Sequence, residues 1–427
     1  MVPNSRLKLA TAQSRTLSTT SETLGALEKT VKDAAAQGID LILFPEAYLG
    51  GYPRTCNFGS EIGSRSAEGR EQFLHYYKHA VDLGDTPQGA SDLWLERKLP
   101  LGRAREPRGD GTREELERIA RETGVFIITG LVERAGGTLY CGCVYVDPQY
   151  GVLGKRRKVM PTGSERLVWG QGSPSTLRAV TTVIKGVRLT MAAAICWENY
   201  MPLLRQSLYS QNVNLWLAPT ADARDAWTGL MRTVGVEGRC FVLGANQCVR
   251  YKHLPSWITG RDVEKEKVGV DLASETPEKE GKQSVGSSSG ARARRRSTIT
   301  VTEERNEICW PVNDAQSNGD TSALHDDEQP ALPSDIDALS KLSSYPQTST
   351  SSSSDDAFVC RGGSCIVGPM GDVLAGPSWE QEDELLVAEV DFEDCERGRL
   401  DLDVAGSYSR MDSFHLSVDG LDLNPPP

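Results

Sequence analysis

Apolar patterns of two periods alternate along residues 1–261, and few folds are open to a chain built that way. Leu7 to Gln13 reads as a strand. Leu24, Leu27, Val31 and Ala34 then recur at helical spacing, with Gly38 as the stop. Asp40 to Phe44 is a short apolar strand. Leu116, Ile119 and Ala120 mark a helix over Thr112 to Thr123, and Val125 to Val132 is strand again. Leu139 to Val146 and Val152 to Arg156 flank the turn Asp147-Pro148-Gln149-Tyr150-Gly151. Val187 to Ile195 is a buried strand followed by a helix from about Met201. Asn212 to Ala218 and Cys240 to Val249 are two more strands with a helix between them. Such a rhythm predicts α/β architecture, with helices packed on sheets.

The rhythm stops at residues 262–356. Those 95 residues hold 17 Ser and only 14 Leu, Ile, Val or Phe. So low an apolar share cannot offset the entropy of ordering the chain, which predicts a low-complexity disordered insertion. A tolerated surface loop is the plain reading; Arg294-Arg295-Arg296-Ser297, at the end of the basic run Arg292 to Arg296, could instead serve as a kinase target or a weak anionic docking patch. Order resumes at Phe358, with strands expected at Ser364 to Gly368, Val373 to Ala375 and Leu385 to Asp391. Residues 1–261 and 357–427 together then form one large domain. Residues 401–427 read as a polar tail that docks through Tyr408, Phe414 and Leu416. A second surface loop is expected around Gly84 to Gly111.

Charge narrows the function classes. Against 59 Asp and Glu stand 47 Lys and Arg, a net charge of −12 that argues against a nucleic-acid partner. No apolar run approaches the roughly 20 residues needed to cross a bilayer, and the N-terminus lacks a signal-type core, so the expectation is a cytoplasmic protein with no membrane partner. Ten cysteines are too sparse for a disulfide scaffold. No ligand cluster completes a metal site, and the five histidines are scattered, so neither metal nor cofactor is expected.

Three chemically able residues end three of the expected strands: Glu46, Lys158 and Cys196. Strand ends are where α/β sheets carry catalytic groups. A thiol can attack as thiolate, a carboxylate can move the proton, and an ammonium can steady charge developing on the substrate. A helix starting just after Cys196 would favour the thiolate through its dipole. Each also has a plain reading: a core cysteine, a helix-starting glutamate, and a lysine in the basic run Lys155-Arg156-Arg157-Lys158 that reads as a solvated face.

The surrounding motifs decide between these. Phe44-Pro45-Glu46-Ala47 precedes Gly51-Tyr52-Pro53-Arg54. Arg157-Lys158-Val159-Met160-Pro161-Thr162 precedes Glu165-Arg166-Leu167-Val168-Trp169-Gly170. Cys196-Trp197-Glu198-Asn199-Tyr200-Met201-Pro202 follows, then Ala218-Pro219-Thr220-Ala221-Asp222 and Ala245-Asn246-Gln247. In this order they resemble the nitrilase branch of the carbon–nitrogen hydrolase superfamily. The resemblance implies a four-layer α-β-β-α sandwich, with Cys196 as nucleophile, Glu46 as general base, Lys158 as stabiliser of the anionic intermediate and Glu165 as the second glutamate that positions substrate and lysine. Tyr52 and Trp197 are implied as pocket lining. The implied reaction converts a small-molecule nitrile to its acid and ammonia through a thioimidate and a thioester, without a cofactor, in a homodimer or a longer spiral homo-oligomer. Ser407-Tyr408-Ser409-Arg410-Met411-Asp412 departs from the family's usual C-terminal motif, which bears on subunit docking and not on the chemistry. A cyanide hydratase or an amidase would use the same groups, and a silent scaffold is the alternative of another class.

Overall fold

The structure, a computed structural model, describes residues 5–101, 108–259, 297–301, 307–311 and 354–423, with 297–301 and 307–311 described by backbone alone. The chain divides into two units, Met1–Val270 with Ser351–Pro427, and Asp271–Thr350. The first unit begins with β1 (Arg6–Gln13), α1 (Thr20–Ala36), β2 (Leu41–Leu43), and a small hairpin of β3 (Ser60–Glu61) and β4 (Ser64–Arg65). Next come α2 (Ala67–His79), α3 (Asp92–Leu95), α4 (Thr112–Thr123), β5 (Phe126–Ala135), β6 (Thr138–Asp147) and β7 (Gly151–Arg157). Then follow β8 (Val180–Ile184), β9 (Val187–Ala193), α5 (Pro202–Tyr209), β10 (Leu215–Thr220), α6 (Ala226–Gly238), β11 (Phe241–Asn246) and β12 (Cys248–Arg250). In the second unit lie β13 (Ser297–Val301) and β14 (Glu307–Pro311). The first unit resumes with β15 (Phe358–Val367), β16 (Val373–Trp379) and β17 (Glu384–Asp391).

Local chemistry sets these limits. Thr19 and Glu22 close a reciprocal capping box at the start of α1. The expected stop at Gly38 lies just beyond the last turn, in the left-handed region at φ 71°. The strands are apolar on both faces, so each face finds its own layer. Leu41 and Leu43 of β2 face the other sheet, whereas Ile42 and Phe44 face α1 and α4. On β10, Leu215 and Leu217 face the sheet opposite, and Trp216 and Ala218 face α5 and α6.

Two sheets result. One has the order β17-β1-β2-β5-β6-β7, the other β12-β15-β11-β10-β9-β8 with β16 added on β15. The central strands β1, β2 and β5 run parallel, as do β9, β10 and β11. Three apolar layers fill the gaps: helix against sheet, sheet against sheet, and sheet against helix. The first unit is thus a four-layer α-β-β-α sandwich, the architecture the motifs imply. Among the described residues no helix is long and apolar enough to cross a membrane.

Three expectations change. Most of 262–356 lies outside the described residues, including the basic run Arg292 to Arg296. Its described strands, β13 and β14, pair antiparallel from Ser297 with Pro311 to Val301 with Glu307. Averaged composition hid them: in Ser297-Thr298-Ile299-Thr300-Val301 every residue after the first is β-branched, which is strand chemistry. The stretch from Gly84 to Gly111 is not simply a surface loop either. Its Trp94 is buried in the helix-side core and donates its indole N–H to Leu83 O at 2.7 Å, and Asp85 is buried beside Lys155. In the tail, Val404, Val418 and Leu421 pack against the α5–α6 core, while Tyr408 and Phe414 stay 61% and 73% exposed on this chain.

Candidate active site

Parallel strands deliver their C-terminal ends to one side of each sheet, and the residues just past those ends converge here. Glu46 follows β2 through Pro45. Ala47 beside it takes φ 49°, a left-handed conformation that non-glycine residues rarely adopt. Gly130 on β5 makes the approach fit, since a Cβ there would lie 2.1 Å from Pro45 O and 2.8 Å from Glu46 Cα. Lys158 follows β7, its N–H donating to Cys141 O at 2.7 Å. Cys196 follows β9 and opens a single 3₁₀ turn, Cys196–Tyr200, at φ 52°. Strain of this kind is tolerated where surrounding contacts over-determine it, and it turns the sulfur off the strand line.

Lys158 is the hub. Its Nζ donates to Glu46 Oε1 at 2.7 Å and to Glu165 Oε2 at 2.7 Å. Glu165 Oε1 accepts from the Tyr52 hydroxyl at 2.9 Å, and its Oε2 also accepts from Thr162 N at 2.8 Å. The Lys158 ammonium lies 5.5 Å from the centre of the Trp169 ring. Cys196 packs in the same buried cluster as Cys141, Trp169, Ala47 and Ile195. The Cys141 thiol donates to Glu46 Oε1 at 3.5 Å, and Gln247 Nε2 holds the Glu46 carbonyl at 2.9 Å. Glu46 Oε2 has no hydrogen-bond partner among the described residues.

Burial sets the protonation states. It raises Glu46 to about 6, with the Glu165 charge adding to the rise and Lys158 opposing it. Burial also drives the Cys196 thiol well above its ordinary value, helped by the Glu46 charge. Burial works against the Lys158 ammonium, but Glu46, Cys196 and Glu165 together hold it well above the ordinary lysine range. The resting site therefore holds a thiol, an ammonium and carboxylates, and not a preformed thiolate.

Sequence-predicted residues meet here with two corrections. Lys158 bonds both Glu46 and Glu165, Tyr52 bonds Glu165, and Cys196 packs in the cluster whose Cys141 bonds Glu46 and whose Trp169 faces Lys158, close enough to feel all three charges. Trp197, next to Cys196, is turned toward Asp222, donating its indole N–H to Oδ2 at 2.7 Å under the Arg224 guanidinium. The first correction concerns the basic run: Lys155, Arg156, Arg157 and Lys158 are not a solvated face, their side chains being 8%, 2%, 3% and 0% exposed. Each has an acidic partner, Lys155 and Arg157 sharing Asp85 and Glu133 and Arg156 taking Glu198. The second concerns the helix expected after Cys196. Cys196–Tyr200 form a 3₁₀ turn with Met201 extended at φ −96° and ψ 103°, so the α-helix expected from about Met201 starts at Pro202 and not directly after Cys196.

Several groups at the site were not singled out from sequence: Cys141 against Glu46, Glu198 with Arg156, and Asn199. The Asn199 amide donates to Ala194 O and to Cys196 O, both at 2.7 Å, and its oxygen accepts from Trp216 Nε1 at 2.8 Å. Adjacency to Cys196 was the only signal for Glu198 and Asn199. Among the described residues no group of three His, Cys, Asp or Glu side chains could hold a metal ion.

A family model described as carbon–nitrogen hydrolase matches residues 8–399. The chain is 33% identical over 396 residues to an aliphatic nitrilase of Sinorhizobium fredii (strain HH103), spanning 92% of this chain and 90% of that one. It is 32% identical over 405 residues to an arylacetonitrilase of Trametes versicolor (strain FP-101664), spanning 93% and 91%. Among solved structures, Nit3 of Saccharomyces cerevisiae, titled a member of branch 10 of the nitrilase superfamily, superposes with a TM-score of 0.51 at 13% identity, covering 97% of this chain and 99% of that one; the likeness is one of fold.

Proposed function

This chain belongs to the carbon–nitrogen hydrolase family and is a hydrolase of carbon–nitrogen bonds; from that premise we propose that it is a nitrilase, converting an organic nitrile to its carboxylic acid and ammonia. The observation that carries the reading is the Lys158 ammonium held 2.7 Å from both Glu46 and Glu165, beside Cys141 and Trp169 of the buried cluster that contains Cys196.

The mechanism follows from the protonation states. At neutral pH Glu46 is above its value of about 6 and ionised, with Oε2 open to a proton. Because burial keeps the Cys196 thiol protonated, proton transfer to Glu46 accompanies attack. Sulfur bonds to the nitrile carbon, one C–N π pair moves to nitrogen, and Lys158 steadies the charge there as the thioimidate forms. The nitrogen takes the proton that Glu46 received from sulfur, water then adds its hydroxyl to that carbon and its other proton to nitrogen, and as the C–N bond breaks the hydroxyl proton follows, so nitrogen leaves as ammonia, a thioester remains and Glu46 is again ionised. A second water, deprotonated by Glu46, displaces the sulfur, which takes back its proton as the acid departs. Glu165 keeps Lys158 from collapsing onto Glu46 alone, and Tyr52 fixes Glu165. Tyr52 and Trp197, both packed against the cluster that holds Cys196, would line the substrate pocket.

The reading extends to cytoplasmic location, to a requirement for neither metal nor cofactor, and to assembly as a homodimer or longer spiral. The exposure of Leu203 on α5 (72%) and of Phe414 in the tail (73%) supports association through those surfaces. Residues 1–261 with 357–427 would form the single catalytic domain, interrupted by 262–356. The test is a panel of aliphatic, aromatic and arylacetic nitriles with cyanide, scored for ammonia, acid and amide. Acid with stoichiometric ammonia supports a nitrilase. Amide from every substrate would make it a hydratase, and hydrolysis of amides alone an amidase.

A further inference from the structure

Glu198 joins the two halves of the site. The fully buried carboxylate accepts from Val159 N at 2.8 Å and Met160 N at 3.1 Å on Oε1. On Oε2 it accepts from Ile195 N at 2.9 Å and Arg156 Nη2 at 2.5 Å. Val159 and Met160 directly follow Lys158, Ile195 directly precedes Cys196, and Lys158 and Cys196 extend from different sheets. Arg156 also crosses from β7 to donate to Ala193 O at the end of β9. One carboxylate thus ties the backbone bearing the ammonium to the backbone bearing the thiol, and both its oxygens are satisfied.

We propose that Glu198 is a positioning residue that fixes the spacing between the Lys158 nitrogen and the Cys196 sulfur, and through it decides whether acid or amide leaves the site. The proposal rests on the nitrilase reading. After water adds, one carbon carries sulfur, nitrogen and a hydroxyl. If the C–N bond breaks, nitrogen gains a proton and leaves as ammonia, and the thioester remains. If the C–S bond breaks, the pair returns to sulfur, which is reprotonated, and the amide leaves whole. The first course needs a cation beside nitrogen while sulfur stays in place; a drift of one relative to the other favours the second.

The experiment compares wild type with Glu198→Gln and with Arg156→Met/Glu198→Gln. A glutamine keeps one acceptor oxygen but aims its N–H groups at donors that Oε2 now receives. In the double variant no lone charge stays buried. We expect kcat to fall by about 10²-fold with KM changed far less, and the amide share of product to rise severalfold. A product ratio does not depend on the fraction of enzyme folded, so a merely structural role leaves it unmoved. Folded variants with wild-type kcat and product ratio overturn the proposal. Should neither variant fold, hydrogen exchange on the wild-type enzyme decides: the Val159, Met160 and Ile195 amides exchange at least about 10²-fold slower than free-chain amides if the tie exists, and free-chain rates overturn it. A wild-type enzyme that releases neither ammonia nor amide from any nitrile refutes the nitrilase reading instead, and leaves the exchange result standing as the measure of the tie itself.

Discussion

Replacing Glu165 with glutamine isolates the electrostatics of the base. Both carboxylates touch the same nitrogen at 2.7 Å, so those two oxygens are at most about 5 Å apart, where unit charges in an effective dielectric of ~20 repel by roughly 3 kcal/mol. That energy corresponds to about two pKa units on Glu46. The sign is fixed: the Glu165 charge raises Glu46 and Lys158 lowers it. Glu165→Gln removes the first influence and frees Lys158 to bond Glu46 more fully, so both changes lower the base. Glu46 then stays ionised to more acidic pH. The profile of kcat/KM, which reports the free enzyme, should move its acid limb down from about pH 6 by one to two units. The absolute rate also drops, because Lys158 loses an anchor, but the limb position is read from relative rates. Ammonia release from the best nitrile of the panel, followed from about pH 4 to pH 9, makes the measurement. An acid limb that stays put, or moves to higher pH, refutes Glu46 as the titrating base coupled to Glu165.

Cys196→Ala should release no ammonia while keeping the wild-type circular dichroism spectrum; residual wild-type turnover removes Cys196 from the mechanism. Tyr52→Phe deletes the 2.9 Å hydroxyl bond to Glu165 and should lower kcat/KM by about tenfold, the worth of a hydrogen bond to a charged group. Gly130→Ala puts a Cβ 2.1 Å from Pro45 O and should cost about 1–3 kcal/mol or more in urea unfolding, together with activity, because Glu46 moves. Lys155→Met leaves Asp85 and Glu133 short of a buried partner and should lower stability at neutral pH by about 3–5 kcal/mol, whereas Arg6→Ala at the exposed Arg6–Glu389 pair should shift it by under about 1 kcal/mol. Burial pushes Asp85 up but Lys155 overrides it and holds the group below its ordinary value, so the Lys155 effect should shrink as pH falls through that lowered range.

The sheets were legible because their strands are apolar on both faces and bounded by glycine and proline punctuation. Leu41-Ile42-Leu43-Phe44 and Leu215-Trp216-Leu217-Ala218 each feed two cores at once, a pattern that survives any detail of packing. Elements whose apolar residues do not repeat evenly escaped. Residues Ala67–His79 form α2 with only Gly69 and Tyr76 buried, too weak a stripe to announce a helix. The β13–β14 hairpin was lost in the average of a polar segment. Trp94 looked like part of a charged loop because its partners, Lys155 and Arg113, lie far away in sequence.

The site was legible where a motif names a residue and illegible where only pairing gives it meaning. A run of four cations reads as solvated unless its counter-charges are known, and Asp85, Glu133, Glu198, Glu46 and Glu165 come from five other stretches of chain. The same reasoning explains why the run is so dense. Lys158 alone, buried between two glutamates, could settle onto either one. Arg157 held by Glu133 on one side of β7, and Arg156 held by Glu198 across the sheet gap, leave the strand end little freedom to slide. In the proposed mechanism the ammonium must serve a base and a nucleophile together, and on that reading the buried charges on either side of it belong to the geometry of catalysis as much as to the stability of the fold.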